Sequence, residues 1–344
     1  MKSVVIHAAK DLRVEERDVG RPGAGQVSVA IGAGGICGSD LHYYNHGGFG
    51  AVRVKHPMVL GHEVAGTITE IGSGVATIVP GDRIALSPSL PCNSCEYCLK
   101  GLHNHCLNMR FYGSAMRMPH VDGAFSETVI ADASQCHKLA DGVTLAEGAF
   151  AEPFAVTLHA VSRAGSLLNK NVLISGSGPI GALCVLAARV HGAREIIITD
   201  VLDEPLGYAR KIGADRTINI AKSPDALAAL AEGKGTVDIV IEASGNGAAL
   251  TSGIAALRPR GVLVQLGLGG DVAMPQNVVV GKEVDIRGSF RFHEEFALAV
   301  ALINQRRVDV RPLLSDTLPL DDAVRAFELA SDRRHSMKVQ LAFA

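Results

Sequence analysis

Four cysteines, Cys92, Cys95, Cys98 and Cys106, fall within the polar stretch CNSCEYCLKGLHNHC. The spacing C-x2-C-x2-C-x7-C suits four thiolates closing a tetrahedral shell around one zinc ion, a structural site with no open position. The alternative is a disulfide framework. Against it stand an odd total of seven cysteines and a start, MKSVVIHAAKDLRVEER, whose apolar run is too short for a secretion signal. Pro91, Asn93, Ser94, Gly101 and Asn104 mark residues 91–107 as a loop. A metal can organise such a loop where no core exists.

A second set of ligand types is scattered. Cys37 lies in GGICGSDLHYY, His62 and Glu63 in GHEVAG, and Glu152 in AEPFAVTLH. One thiolate, one imidazole and one or two carboxylates would suit a catalytic zinc that keeps a position free for substrate. Spacing alone does not bring these residues together. Singly, a cysteine is most often a buried filler and Glu63 an ordinary carboxylate at a strand edge.

A third pattern concerns a nucleotide. Gly176, Gly178, Pro179, Ile180 and Gly181 lie in G-S-G-P-I-G, after the apolar run NVLIS and before a helical pattern. In that setting the first glycine makes a tight turn and the second admits a pyrophosphate. The third lets helix and strand pack closely, and the helix N-terminus faces the anion. Asp200 ends the next apolar run, EIIITD. Its carboxylate can accept from both ribose hydroxyls and would repel a 2'-phosphate. Val201, Leu202 and Asp203 follow, with no arginine among them, so NAD is favoured over NADP.

These residues need elements to hold them. The chain has 344 residues, enough for about two domains. Residues 1 to about 150 read as short strands broken by glycine, including SVVIHA, QVSVAIGAGG and DRIALS. From Asn171 onward, strand and helix patterns alternate through VDIVIEASG and VLVQLGL to VDIRGSF, implying a doubly wound parallel sheet of six strands. Two helical patterns and the strand MKVQLAF then return to the first domain. The net charge of -2 offers no field for nucleic acid or an anionic membrane. No stretch reaches the ~20 apolar residues that span a bilayer. The expectation is a soluble, cytoplasmic protein.

GHEVAGTITEIGSGV, Gly61 to Val75, resembles the signature of the zinc-containing medium-chain alcohol dehydrogenases. Cys37, the cysteine loop and the GSGPIG turn fall in that family's order, and the resemblance covers essentially the whole chain. Glu152 stands where alcohol dehydrogenases proper carry a second cysteine ligand, as in the polyol, sorbitol-like branch. GGICGSDLHYY, MRFYGSAMRMPHVDG and IRGSFRF are similar to members acting on sugar acids.

The resemblance implies a GroES-like all-β catalytic domain (1–153 and 290–344), a Rossmann NAD-binding domain (154–289) and an active site between them. It implies two zinc ions per chain, one catalytic on Cys37, His62 and Glu152 or Glu63, and one structural. Ser39 and His42 match the family's proton relay. Leu266, Gly267, Leu268 and Ser289 are expected to add cofactor contacts. Tyr43 matches a substrate position of the polyol branch. The substrate would be a sugar acid or polyol. A sugar acid needs a cation in its pocket, and Arg110, Arg117, His120 and Arg291 are the candidates; polyol dehydrogenases also carry an arginine at the place of Arg291, so that residue marks the active site without choosing acid over polyol. A homodimer or homotetramer, paired through VDIRGSF, follows by the same analogy.

Overall fold

The computed structural model describes residues 1–343 and contains two principal sheets. In the first, strand Gln26–Gly35 is central. It pairs with Glu63–Ile71, with Thr128–Asp132 and with Lys338–Ala342, all antiparallel. Arg83–Leu86 and Cys136–Lys138 extend one side, and Leu314–Pro319 the other. The chain's end thus completes a sheet begun near its start. Val27, Val29 and Ile31 face a core with Tyr43, Phe125, Phe327 and Leu341.

The second sheet has six parallel strands. Their order is Arg216–Asn219, Glu195–Asp200, Asn171–Ser175, Val237–Glu242, Leu257–Gln265 and Asp285–Gly288. The central strands are Val- and Ile-rich because both faces are covered, as parallel crossovers require. One face packs on the helices Ala151–Ala164 and Pro179–Val190, and the other on the helix Gly247–Ala256.

Two local expectations shift. Residues Leu257–Arg260, ahead of the apolar run VLVQLGL, already belong to the fifth strand, because Val237 takes Leu257 as its partner. A short helix, Gln276–Lys282, lies between the fifth and sixth strands. No helix among the described residues is long and apolar enough to cross a membrane.

Candidate active site

Cys37 ends the turn after the central strand and caps the helix Gly38–His46. Asp40, fully buried in the first turn of that helix, organises the neighbourhood. Its Oδ2 accepts from Cys37 N at 3.0 Å and its Oδ1 from Gly61 N at 3.3 Å, and Oδ1 lies 3.7 Å from His62 Nδ1. One carboxylate therefore ties the segment of the thiol to that of the imidazole. Gly61 can make the turn because its φ is +92°, a conformation that costs a side chain dearly.

The two segments converge. Ligand atoms of Cys37, His62 and Glu63 lie within 4.8 Å of one another. Glu152, in the first turn of helix Ala151–Ala164, is buried beside them and feels the charge of all three. Lys338 pairs with Glu63 from the returning strand, and its Nζ donates to Ile36 O at 2.9 Å. A Cβ on Gly35 would come within 2.3 Å of Glu63 Oε2, so the glycine makes the room.

This pocket fits a metal ion. His62 Nδ1 is buried without a hydrogen-bond partner, and Glu63 has only the Lys338 ammonium beside it. Burial and the Glu63 carboxylate push the Cys37 thiol up to about 12. Burial drives the Glu152 carboxyl well above its usual range; His62 opposes this, while Glu63 and Cys37 add to it. One lysine does not balance a thiolate and two carboxylates in so dry a place. A divalent cation would let these groups ionise together.

The cysteine loop forms a second ligand group. Cys95 and Cys98 sulfurs are 3.6 Å apart, those of Cys92 and Cys106 3.5 Å, and all four thiols are free. Backbone N–H groups of Cys92 and Asn108 point at Cys106 Sγ at 3.2 and 3.3 Å. Hydrogen bonds from Ser94 hold the Cys92 thiol down to about 5. Such donors favour thiolate, the form a metal takes.

The loop also touches the segment that leaves the sixth strand. Asn104 Nδ2 donates to Phe290 O at 2.9 Å, and the His103 ring stacks on His293 with centroids 3.9 Å apart. Arg291 lies between those contacts, with φ at +54°, a conformation uncommon outside glycine. Its guanidinium lies over the Phe111 ring at 4.2 Å, and Phe111 in turn meets His62 with ring centroids 5.6 Å apart. Burial pulls Arg291 down to about 10, while Glu152 and Tyr43 push it back, so it stays cationic at neutral pH.

Other predicted residues are placed as follows. Ser39 lies beside the Cys37 thiol. His42 is exposed on the same helix, within ring contact of Phe49. Tyr43 is buried and its hydroxyl accepts from Ala115 N at 3.1 Å. Arg110 is exposed, and Arg117 is spent on the Asn108 and Met109 carbonyls. His120 was expected to meet substrate, and the structure corrects this. Its Nε2 accepts from Lys55 N at 2.9 Å, its Nδ1 meets Arg117 O at 2.8 Å, and its ring stacks on His56. Both nitrogens are occupied in bracing the loop.

The glycine turn fits a dinucleotide. Gly176 takes φ of +92°. A Cβ on Gly181 would sit 1.8 Å from Gly176 O, whereas one on Gly178 would meet nothing within 4 Å, leaving that backbone open to a ligand. Leu266 N and Gly267 N are held by Glu242 O, and Leu268 is exposed beyond them. Ser289 Oγ is buried without a partner. Asp200 differs from expectation. Its Oδ1 accepts from Val201 N and Leu202 N at 2.8 and 3.1 Å, and its Oδ2 from Ser177 N at 2.8 Å and Arg333 Nη2 at 2.5 Å. The carboxylate is not free for a ribose. The arginine that sequence proximity did not supply arrives from the other end of the chain.

A GroES-like sheet carrying a thiolate–imidazole–carboxylate pocket, beside a Rossmann sheet with its glycine turn, defines a zinc-binding, nucleotide-linked dehydrogenase. Residues 23–141 match the alcohol dehydrogenase GroES-like domain and 179–305 the zinc-binding dehydrogenase domain. The chain is 41% identical to L-idonate 5-dehydrogenase (NAD(P)(+)) of Escherichia coli K12, over 99% of this chain and 98% of that one. It is 40% identical to sorbitol dehydrogenase of Gallus gallus, over 98% and 95%. The crystal structure of the E. coli L-idonate 5-dehydrogenase superposes with a TM-score of 0.95, at 40% identity, covering 99% of this chain and 98% of that one. The chain belongs to the zinc-binding medium-chain alcohol dehydrogenase family, among its sorbitol dehydrogenase-like members. It is an enzyme: a zinc-dependent dehydrogenase of the polyol and sugar-acid type, with zinc and NAD as its cofactors.

When bound, zinc supplies Lewis acidity toward an alcohol oxygen and the nicotinamide takes up hydride. Cys37, His62 and the two glutamates would hold the one. The turn Gly176–Gly181 would hold the other.

Proposed function

We propose that this chain oxidises the C5 hydroxyl of L-idonate to give 5-keto-D-gluconate, with NAD as hydride acceptor. The observation that carries this reading is the 41% identity over 99% of this chain to the E. coli L-idonate 5-dehydrogenase, and Arg291 is placed to serve such a substrate. A cation held over Phe111 and next to Glu152 and Tyr43 offers a planar fork to a substrate carboxylate, which a neutral polyol lacks. The E. coli relative, whose name states that reaction, supports it.

Within this reading Ser39, beside Cys37, takes the alcohol proton and passes it through the cofactor ribose to exposed His42, which releases it to solvent. Glu152 or Glu63 would complete the ligand set of the catalytic zinc beside Cys37 and His62. Tyr43 and Arg291 contact substrate, and Arg110 lies at the pocket's edge. The domain limits are 1–153 with 290–344, and 154–289. The exposed edge strand Asp285–Gly288 continues its sheet into a second copy, giving a dimer or tetramer, and the enzyme works in the cytoplasm.

The second reading keeps the machinery and changes the substrate to sorbitol, xylitol or L-threonine. The avian sorbitol dehydrogenase, 40% identical, favours the polyols. NAD+ reduction followed by absorbance, with L-idonate, D-gluconate, sorbitol, xylitol and L-threonine in parallel, separates the two. The largest kcat/KM with L-idonate is expected. A larger value with sorbitol or xylitol sinks the sugar-acid reading.

A further inference from the structure

We propose that Arg333 is the residue through which this enzyme accepts a 2'-phosphorylated cofactor, so that NADP is used beside NAD. The proposal rests on the dehydrogenase reading of the nucleotide site. It concerns only the adenosine end.

An aspartate at the end of the second Rossmann strand ordinarily selects NAD in two ways. It binds the ribose hydroxyls, and its charge repels a 2'-phosphate. Here neither route is available. A carboxylate has about four acceptor directions, and Asp200 has four donors on them: Val201 N, Leu202 N, Ser177 N and Arg333 Nη2. Its side chain is only 3% exposed, so no further face is open. The guanidinium also cancels its charge at contact distance.

Arg333 itself is well placed to receive an anion. Its side chain is 47% exposed, and only Nη2 is engaged among the described residues. The other donors of its planar fork remain for a phosphate. It shares a cavity of 620 Å³ with Gly176, Gly178, Asp200, Ser244 and Asn246, so the glycine turn and the guanidinium face one space. A second basic side chain near the strand end, Lys222, is spent on Asp203. Arg333 comes from the segment after the helix Ala323–Ser331, which packs with the first sheet's core. The specificity residue and the glycine turn thus belong to different halves of the molecule.

The test is calorimetric titration of Arg333→Ala with NADP+, NAD+, adenosine 2',5'-bisphosphate and AMP. Neither substrate nor catalytic metal is needed. Wild type should bind NADP+ and the bisphosphate. In the variant their Kd should rise about tenfold or more, the loss of one charge-assisted pair. NAD+ and AMP should bind more tightly, because Asp200 Oδ2 is released to the ribose. Arg333→Lys, which keeps the charge but not the fork, should fall between. A loss shared equally by all four ligands would place Arg333 on a part common to both cofactors and overturn the proposal. So would an unaltered NADP+/NAD+ ratio, or a wild type that binds NAD+ and rejects NADP+. Failure of the wild type to bind any of the four ligands would instead overturn the dehydrogenase reading and remove the basis for this one.

Discussion

Lys338 and Glu63 form an ion pair inside the first sheet, with side chains 3% and 1% exposed. The lysine joins the chain's closing strand to a carboxylate of the metal pocket and is anchored to Ile36 O. Burial opposes its charge, but Glu63 and Cys37 more than offset this and raise its pKa.

Replacing it tests that relationship. Lys338→Met should lower the unfolding free energy of metal-depleted protein by roughly 3–5 kcal/mol, because Glu63 is left buried and unpaired. Urea unfolding reads this. A change below about 1 kcal/mol would show that the pair contributes little to the fold.

Cys37→Ala should remove one of the two zinc ions by elemental analysis and abolish turnover, while NAD+ still binds. The metal pocket and the glycine turn are built from different sheets. Retained turnover would refute the assignment of Cys37 as a ligand.

Asn104→Ala removes the tether from the cysteine loop to Phe290 O, one residue before Arg291. The expected result is a KM for sugar acid several-fold higher with kcat little altered, since a positioning loss acts on binding. Equal loss in kcat would mean that the tether reaches the reacting centre.

Glu295 gives a pH dependence. Burial raises its carboxyl, but hydrogen bonds from His159 and the His293 N–H outweigh this and hold it at about 2, below the ordinary 4.5. A depressed carboxyl stabilises the fold above its unfolded pKa. That contribution fades as pH drops from about 4.5 toward about 2. Glu295→Gln should therefore cost up to about 3 kcal/mol at pH 7. The gap from wild type should narrow in melts below pH 4.5. A gap independent of pH would assign the effect to packing.

Much of this was readable in advance. The runs NVLIS and EIIITD are apolar because strands Asn171–Ser175 and Glu195–Asp200 are covered on both faces. The cysteine spacing is local chemistry and survives folding unchanged. Asp40, Lys338 and Arg333 were silent for one reason. Each acts on a partner distant in sequence, and periodicity reports which face a residue occupies, not what it meets there. Asp40 left a faint trace as the third residue of a helix whose cap is Cys37. His120 misled because residue type suggested a cation, whereas two backbone partners had claimed both its nitrogens.

Strand Lys338–Ala342 also poses a closure problem for the folding chain. It must find Gly35 across a chain segment that contains the entire parallel sheet. Loop closure over such a length costs entropy, and a parallel sheet that has already folded shortens the effective loop. Once formed, the parallel sheet acts as the splint that holds the two ends of the other half within reach of each other. The lysine of the metal pocket belongs to the last described strand, far along the chain from the thiol and the imidazole.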